Sequence, residues 1–436
     1  MSHRLRLLLS KPGLSARIWI TRLLFWGGAV LVSLSAMLFE RGSTYGNHLF
    51  RQIIGWHPFL ALLVTPLGLA GVLWLTKRVF PGAQGSGIPQ TIAALKIPVA
   101  EERRRLLSLK VAAGKLALTS LGLACGASVG REGPTVQIGA AIMLGLGRWV
   151  RVPIPKLEPM LILAGGAAGI SAAFNTPLAG VVFAIEEMAR SFEERNSGTV
   201  LTTVIVSGFV SMAVVGNYTY FGRTDAVLVF AQSWAPILAC GIGGGLLGGL
   251  FARGLMVISS GLPGRVGDWV KAHPYQFAAA CGLALALLGL ISDGAVYGTG
   301  YDEAKGLIEG KHALPASFGF LKLLASVLSY ASGIPGGIFA PSLAVGAGLG
   351  ADLQGLMPSV PVGALCILGM VGYFTGVVQA PITAVVIVLE MTDDQSLTLP
   401  LMAAALLAYG VSRLVCPKPF YKTMAQDFIR AAKPAE

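Results

Sequence analysis

One stretch of the sequence occurs twice, as Asn175-Thr-Pro-Leu-Ala-Gly-Val-Val-Phe-Ala-Ile-Glu186 and as Gln379-Ala-Pro-Ile-Thr-Ala-Val-Val-Ile-Val-Leu-Glu390. The proline, the paired valines and the glutamate recur at a constant offset of 204 residues (381 − 177 and 390 − 186). Upstream, Pro134-Thr-Val-Gln-Ile-Gly-Ala140 matches Pro341-Ser-Leu-Ala-Val-Gly-Ala347 at an offset of 207 (341 − 134). Two matches in the same order indicate a duplicated half. The alternative is chance similarity between membrane segments rich in glycine and alanine.

The duplication predicts how the chain is organised. We expect a single transmembrane domain over residues 1–436, with repeat halves at roughly 20–220 and 226–415 and an amphipathic helix at roughly 417–430. Membrane transporters are commonly built from duplicated halves, and their binding sites lie where broken helices of both halves meet near the middle of the bilayer. The repeat alone does not tell whether the halves are inverted or parallel.

The composition is that of a polytopic membrane protein. The 436 residues are 54% hydrophobic and 12% charged, whereas about a quarter of an average soluble domain is charged. A helix needs about 20 residues to cross the hydrocarbon core. Long uncharged stretches lie at 23–39, 196–222, 226–252, 323–351 and 353–389. Glycine is unusually frequent, with 57 residues, and short clusters such as Gly85-Ser86-Gly87 and Gly336-Gly337 lie next to prolines. This is typical of membrane helices that pack closely and break where the backbone lines a cavity.

The net charge of +12 indicates membrane topology rather than binding to nucleic acid. The basic residues collect at the chain ends and in short loops between apolar runs. The positive-inside rule therefore places both termini in the cytoplasm. A cleaved signal peptide is not expected, because the first apolar run is long and lacks a small-residue cleavage site. The N-terminal basic residues are Arg4, Arg6, Lys11, Arg17 and Arg22, and the C-terminal ones are Arg413, Lys418 and Lys422.

The cysteines and histidines predict no reaction centre. Five cysteines are scattered among apolar residues, and five histidines form no cluster. Neither set has the spacing of disulfide pairs, metal ligands or a catalytic triad. We therefore expect no metal, no cofactor and no enzyme activity. A structural membrane scaffold is also disfavoured, because it would not need the glycine-rich helix breaks.

Three glycine-rich breaks precede apolar helical segments. A helix start presents free backbone amides and the positive end of the helix dipole, which together attract anions. Glycine lets the backbone approach an ion closely, and proline suits the first helical turn. A site made of amides and hydroxyls suits a permeant anion, since a full positive charge in contact would hold the ion too tightly. The breaks are Gly85-Ser86-Gly87-Ile88-Pro89, Gly130-Arg131-Glu132-Gly133-Pro134 and Gly336-Gly337-Ile338-Phe339-Ala340-Pro341.

Glu132 lies inside one of these anion-attracting helix starts. Ionisable residues within the membrane are costly and are functional by default. A carboxylate here would compete with the anion for the same amides, and its protonation would release the site. Glu132 is therefore predicted to be both the gate and the point of proton coupling. The alternative is a structural ion pair between Glu132 and Arg131.

Glutamates also close the repeated helices. Glu186 and Glu187 end the segment in the first half, and Glu390 holds the equivalent place in the second half. An acid at the end of a span is usually part of the solvated rim, and a proton relay is the sharper interpretation. The residues alone leave both readings open.

The three breaks, together with Lys418-Pro419-Phe420-Tyr421, resemble the CLC family of chloride channels and chloride/proton exchangers over residues 57–425. The resemblance implies an all-α fold of two inverted repeats of broken, tilted helices. It also implies a homodimer with one anion path in each subunit and no C-terminal regulatory domain. Because the resemblance is to the prokaryotic type, it also implies that this protein lies in a bacterial inner membrane.

The resemblance also assigns roles to single residues. It implies that the Ser86 hydroxyl, the Tyr421 phenol and the backbone amides of Ile338 and Phe339 bind the central anion. It identifies Glu132 as the gating glutamate. Serine at position 86 favours chloride, because nitrate-preferring relatives carry proline and fluoride exporters carry methionine there.

Glu187 matches the intracellular proton-transfer glutamate of many exchangers in the family, whereas channels often carry an apolar residue there. The resemblance therefore favours a chloride/proton antiporter over a passive chloride channel, which is the alternative. A fluoride or other anion exporter is less favoured. One departure concerns Gln90, which stands where glutamate is frequent in the family. If that acid balances buried basic residues, Lys115 or Arg131 must find another partner here.

Overall fold

The computed structural model describes residues 16–150, 157–188, 194–216, 219–222, 228, 230–311 and 314–432. The N-terminal Arg4, Arg6 and Lys11 lie outside these ranges, as does most of the predicted junction between the halves. Within the described ranges the chain is helical, and its only strand-like pairings are isolated bridges between loop residues. The predicted all-α class is confirmed.

The first half contains nine of the helices described here. They are α1 (Ala16–Trp56), α2 (Ala61–Arg78), α3 (Ile88–Lys96), α4 (Ala100–Leu106), α5 (Leu109–Ala124), α6 (Glu132–Val150), α7 (Leu157–Phe174), α8 (Pro177–Phe183) and α9 (Glu194–Val215). A π-helical turn, Ala184–Met188, continues α8 and contains both Glu186 and Glu187.

The second half contains the remaining helices of the described chain. They are α10 (Phe230–Ser260), α11 (Gly264–Ala272), α12 (Pro274–Ile291), α13 (Tyr301–Ile308), α14 (Phe318–Ala331), α15 (Phe339–Asp352), α16 (Val362–Val378), α17 (Pro381–Thr392), α18 (Thr398–Val415) and α19 (Phe420–Ala431). The last of these is the predicted amphipathic C-terminal helix.

Eight helical segments of the described chain are long and apolar enough to cross a membrane. Large apolar side chains such as Leu67, Phe209 and Leu406 remain more than half exposed on these segments, as expected for helices that face lipid. The chain is therefore a multi-pass membrane protein. The uncharged stretches at 323–351 and 353–389 are each divided into two helices, because glycine and proline break them near 336 and 380.

The helices of the two halves correspond in order. α2, α3, α5, α6, α7, α8 and α9 match α12, α13, α14, α15, α16, α17 and α18. The match extends to the backbone, since Asn175 and Gln379 hold the same place before α8 and α17 with φ angles of 59° and 57°. A left-handed conformation is uncommon for residues other than glycine, so its recurrence supports the duplication strongly. The residue boundaries given above for the halves stay a prediction.

The contact between α8 and α17 shows that the halves are inverted. The Glu186 carboxylate, beyond the end of α8, accepts a hydrogen bond of 2.6 Å from the Thr383 amide at the start of α17. The Glu390 carboxylate, near the end of α17, accepts one of 2.6 Å from the Ala179 amide at the start of α8. Each helix start therefore meets the other helix end, so the two equivalent helices run antiparallel.

Glycine determines how closely the core helices cross. A Cβ atom on Gly139 of α6 would lie 2.2 Å from the carbonyl oxygen of Gly165 in α7. In the second half, a Cβ on Gly346 of α15 would lie 2.5 Å from the carbonyl oxygen of Gly369 in α16. Both distances are far below van der Waals contact, so each crossing requires glycine. These crossings hold α6 closely against α7 and α15 closely against α16.

Candidate anion site and its gate

The three glycine-rich breaks meet at one place. Gly130 and Gly337 exchange two backbone hydrogen bonds of 2.7 Å, and the Gly336 amide donates to the Gly85 carbonyl oxygen at 3.1 Å. Residues from both halves are therefore joined at the starts of α3, α6 and α15. The convergence expected of a site between duplicated halves is present.

Glycine is required at this junction by the space available. A Cβ on Gly133 would lie 2.3 Å from the Ser86 hydroxyl oxygen, and a Cβ on Gly130 would lie 2.4 Å from Oε2 of Glu132. A Cβ on Gly337 would lie 3.1 Å from the Gly133 amide nitrogen. The glycines thus leave room for the Ser86 hydroxyl and the Glu132 carboxylate, which are the groups singled out from the sequence.

Glu132 is the first residue of α6 and is completely buried. Its Oε2 lies 3.4 Å from the Ala340 amide nitrogen, in the first turn of α15. Its Oε1 forms no hydrogen bond with any residue that the structure describes. The carboxylate therefore occupies the amide-rich start of α15, which is where an anion would bind.

Ser86 and Tyr421 come together from opposite ends of the chain. Ser86 is 3% exposed and Tyr421 is fully buried, and their hydroxyls are close enough to interact electrostatically. Neither oxygen has a hydrogen-bond partner by the usual geometry among the described residues. Buried hydroxyls are normally satisfied, so two orphan hydroxyls side by side mark a place for a ligand that accepts hydrogen bonds.

Ile338 and Phe339 lie at the start of α15, and both are buried. The Phe339 ring lies next to the Tyr421 ring, with 6.0 Å between the ring centroids. Their amides belong to the helix start whose donors lack partners within the helix. The amide that contacts Glu132 is that of Ala340, which the sequence analysis did not single out. Its position in the same helical turn was the available signal.

Arg131 does not depend on a glutamate at position 90. Its Nη2 donates to Oε1 of Glu40 at 3.0 Å and to the Tyr220 hydroxyl at 3.1 Å. The ring of Tyr220 also lies under the guanidinium, 5.7 Å from Cζ. Arg131 thus has an acidic partner on α1. The structure therefore does not have an exclusive ion pair between Arg131 and Glu132.

Lys115 is fully buried on α5 and is held by backbone oxygens. Its Nζ donates to the carbonyls of Ala83, Gln84 and Gly85 at 2.8, 3.1 and 2.6 Å. These bonds draw three consecutive carbonyl oxygens towards the ammonium, directly before Ser86. The buried lysine therefore shapes the loop that presents the Ser86 hydroxyl.

Gln90 caps the start of α3. Its Oε1 accepts a hydrogen bond of 3.0 Å from the Gly87 amide, and its Nε2 donates to the Gln84 carbonyl at 2.7 Å. A neutral amide can make both bonds, whereas a carboxylate could only accept. Gln90 and Lys115 therefore stabilise the same loop, and no acid is needed at position 90.

Glu187 is almost completely buried in the π-helical turn after α8. Its Oε2 lies 3.8 Å from Nζ of Lys422, next to Tyr421. Glu186 and Glu390 have a different role, because their carboxylates accept backbone hydrogen bonds at the starts of α17 and α8. Neither of these two is therefore simply a solvated rim acid, which was one of the two interpretations that the residues alone left open.

A third repeated segment was not predicted from the sequence. Gly298-Thr299-Gly300 matches Gly85-Ser86-Gly87 at an offset of 213 (298 − 85). Lys322 corresponds to Lys115, and its Nζ donates to the carbonyls of Val296, Tyr297 and Gly298 at 2.8, 3.4 and 2.8 Å. The motif Gly-hydroxyl-Gly before a short helix was the signal that could have revealed it.

A family model described as voltage gated chloride channel matches residues 67–413. The chain belongs to the CLC family. Because the match includes both halves and all three glycine-rich breaks, the resemblance noted from the motifs is confirmed.

Curated CLC relatives cover nearly the whole chain. The H(+)/Cl(-) exchange transporter ClcA of Citrobacter koseri is 33% identical over 436 residues, covering 92% of this chain and 89% of the relative. ClcA of Vibrio vulnificus is 32% identical over 391 residues, covering 86% and 81%. Both relatives are named as transporters that exchange chloride and protons.

Solved CLC structures share the fold. A slow cyanobacterial Cl-/H+ antiporter superposes with a TM-score of 0.78 at 27% identity, covering 95% of this chain and 98% of that one. A CLC-type fluoride/proton antiporter superposes with a TM-score of 0.75 at 24% identity, covering 92% and 97%. The inverted-repeat fold of this CLC protein is therefore shown independently of its motifs.

Proposed function

We propose that this CLC protein is a chloride/proton antiporter with Glu132 as its gate. The observation that carries the proposal is the place of the Glu132 carboxylate, which lies at the start of α15 and contacts the Ala340 amide. The names of the 32–33% identical relatives, which exchange protons and chloride, support the same function.

Chloride binds between the Ser86 hydroxyl and the Tyr421 phenol, and the amides of Ile338 and Phe339 complete its coordination. The two orphan hydroxyls support this assignment. Hydroxyls and amides hold an anion without a full opposite charge, so the ion can leave again. The Lys115 ammonium is bonded to backbone carbonyls rather than exposed at the site. It therefore attracts the anion from a distance and does not bind it directly.

Glu132 and chloride compete for the start of α15. When Glu132 is ionised, its carboxylate holds the amides and closes the path to the anion. When Glu132 takes up a proton, the neutral side chain binds these donors more weakly and chloride replaces it. Each opening of the path therefore requires a proton, which couples the two movements.

Glu187 passes protons between the cytoplasm and Glu132. Its burial keeps the carboxyl group away from bulk water, while the nearby Lys422 lies at the edge of the protein and is partly exposed. A buried acid beside an accessible cation suits a group that exchanges protons with one side of the membrane. This role distinguishes the antiporter from the passive channel.

The proposal includes the assembly and its setting. The repeat halves lie at roughly 20–220 and 226–415, both termini are cytoplasmic and the bilayer is a bacterial inner membrane. Two copies associate as a homodimer, as the resemblance to the CLC family implies.

Flux measurements in proteoliposomes test the function. With a chloride gradient and no proton gradient, the antiporter moves protons uphill as chloride runs down its gradient. A passive channel carries chloride in the same vesicles without any uphill proton movement. Chloride flux without proton movement at every pH tested would replace the antiporter by the channel.

A further inference from the structure

A cavity lies at Arg131, the residue next to the gate in the chain. It has a volume of about 400 Å³, and Arg131, Tyr220 and Thr299 are among the residues that line it. Arg131 directly precedes Glu132 in the chain. We call this space the Arg131 cavity. None of the anion-site residues Ser86, Ile338, Phe339 and Tyr421 lines it.

Thr299 is the repeat counterpart of Ser86. The glycines on either side of Thr299 have φ angles of 70° and 82°, and those beside Ser86 have 65° and 101°. Each segment precedes a short helix, α13 after Thr299 and α3 after Ser86. Each is also held from behind by a buried lysine that binds three consecutive carbonyls. The backbone that presents the Ser86 hydroxyl therefore exists twice.

Tyr220 is the repeat counterpart of Tyr421. Tyr220 follows the end of α9, and Tyr421 follows the end of the equivalent helix α18. Tyr421 lies against Phe339 at the start of α15. Tyr220 contacts Arg131, which precedes the start of the equivalent helix α6, through both its hydroxyl and its ring. A loop hydroxyl and a tyrosine phenol therefore line the Arg131 cavity, as Ser86 and Tyr421 do at the central site.

We propose that the Arg131 cavity binds a small monovalent anion, chloride in this protein, as the repeat counterpart of the central site. The hydroxyls of Thr299 and Tyr220 correspond to those of Ser86 and Tyr421. Arg131 adds a full positive charge that the central site lacks. The proposal rests on the proposed function only for the identity of the anion.

Ser43 gives independent support for a ligand. Its side chain lines the cavity and is 2% exposed. Its hydroxyl oxygen forms no hydrogen bond with any residue in the described ranges. Buried hydroxyls in folded proteins normally have a hydrogen-bond partner, and leaving one unsatisfied is destabilising. A bound anion within reach of Ser43 and Arg131 would accept the missing hydrogen bond.

Two acids limit the affinity of the cavity. Asp302 lines it, and Glu40 both lines it and holds Nη2 of Arg131 at 3.0 Å. An anion must therefore compete with the Glu40 carboxylate for the guanidinium, much as chloride competes with Glu132 at the start of α15. Glu40 is 32% exposed in its side chain, so it can turn towards water when the anion enters. The site is consequently weaker than the central one.

Crystals of the full chain grown in bromide test the proposal, because bromide is located by its anomalous scattering. We expect one peak between Ser86 and Tyr421 and a second in the Arg131 cavity, within reach of the Ser43 hydroxyl. Glu40→Gln should strengthen the second peak and lower its half-saturating bromide concentration. Ser43→Ala and Thr299→Val should each raise that concentration about three- to tenfold, as expected for the loss of one hydrogen bond.

Ser35→Ala is the matched control, since Ser35 lies on the same helix and, among the described residues, its hydroxyl bonds only to the Val32 carbonyl of its own helical turn. It should leave both peaks in place. The proposal is overturned if neither the wild type nor Glu40→Gln shows a bromide peak in the cavity. It is also overturned if Ser43→Ala and Thr299→Val leave the cavity peak unchanged. Loss of the central peak alone would count instead against the proposed chloride site.

Discussion

Lys115 and Lys322 hold equivalent loops in the same way. Each lysine is completely buried, and each donates from Nζ to three consecutive backbone carbonyls, the last of which belongs to the glycine before a hydroxyl residue. Lys115 shapes the loop that presents Ser86, and Lys322 shapes the loop that presents Thr299. Although the two lysines have similar structural roles, only Lys115 adjoins the central anion site.

This pair leads to the first prediction. Lys115→Met and Lys322→Met both leave three carbonyls without a donor, so both should lower the melting temperature by similar amounts. Only Lys115→Met should also weaken bromide density between Ser86 and Tyr421. Equal losses of central density in both variants would show that the lysines act on the site merely through overall stability.

Gly133→Ala should impair chloride binding. The added methyl group would lie 2.3 Å from the Ser86 hydroxyl oxygen, so the hydroxyl must turn away from the anion. We expect chloride affinity, measured by titration calorimetry, to fall about tenfold. Gly71→Ala on α2 is the control, because nothing lies within 4 Å of its added Cβ. Wild-type affinity in Gly133→Ala would remove Ser86 from the site.

Glu132→Gln should separate the two transported ions. Glutamine keeps the size of the side chain but carries no ionisable proton, so the gate resembles the permanently protonated state. Chloride flux in proteoliposomes should persist, whereas uphill proton movement should fall below detection. Glu158→Gln, which breaks an ion pair with Arg103 at the start of α7, should retain both. Normal proton movement in Glu132→Gln would contradict the proposed gate.

Adjacent glutamates provide a matched test of the proton path. Glu187→Gln should abolish proton movement while chloride flux continues, because it removes the proposed proton donor. Glu186→Gln should retain coupled transport, since the Glu186 carboxylate serves the start of α17. Proton and chloride fluxes measured together in the same vesicles distinguish the two variants. Coupled transport in Glu187→Gln at the wild-type rate would exclude Glu187 from the path.

The exchanged caps give a prediction about stability. Glu186→Ala removes hydrogen bonds to the amides of Ile382 and Thr383 and to the Thr383 hydroxyl, and Glu390→Ala removes those to Leu178 and Ala179. Each loss should cost about 1–2 kcal/mol. Thermal unfolding in detergent should show lower melting temperatures for both variants. Glu101→Ala, at an exposed position, is the control. An equal fall in its melting temperature would show that the caps contribute no specific stability.

Much of the site could be predicted because its chemistry is local in sequence. The breaks at Gly85, Gly130 and Gly337 mark helix starts, and a helix start attracts anions wherever it lies. The place of Glu132 within one such start was sufficient to predict competition with the anion. The meeting of the breaks at Gly130 and Gly337 followed from the duplication, since equivalent segments of two halves tend to adjoin one axis.

Other features depend on contacts between distant residues and could not be predicted in this way. Arg131 has an acidic partner in Glu40, which lies 91 residues earlier on α1. No rule of sequence spacing connects the two residues. Glu186 and Glu390 resembled rim acids because each ends an apolar segment, and their role as caps appears only when α8 and α17 lie antiparallel. Thr299 was missed because its segment shares only glycines and a hydroxyl with the segment around Ser86.

The exchange of caps between α8 and α17 also bears on how such a chain could arise. In one half alone, the start of the repeated helix has no carboxylate to accept its amide hydrogen bonds, and the glutamate at its end has no amides to bind. A second half inserted in the opposite orientation supplies both partners, and an identical half would supply them equally well. The two caps therefore form together only when the halves lie in the bilayer in opposite orientations.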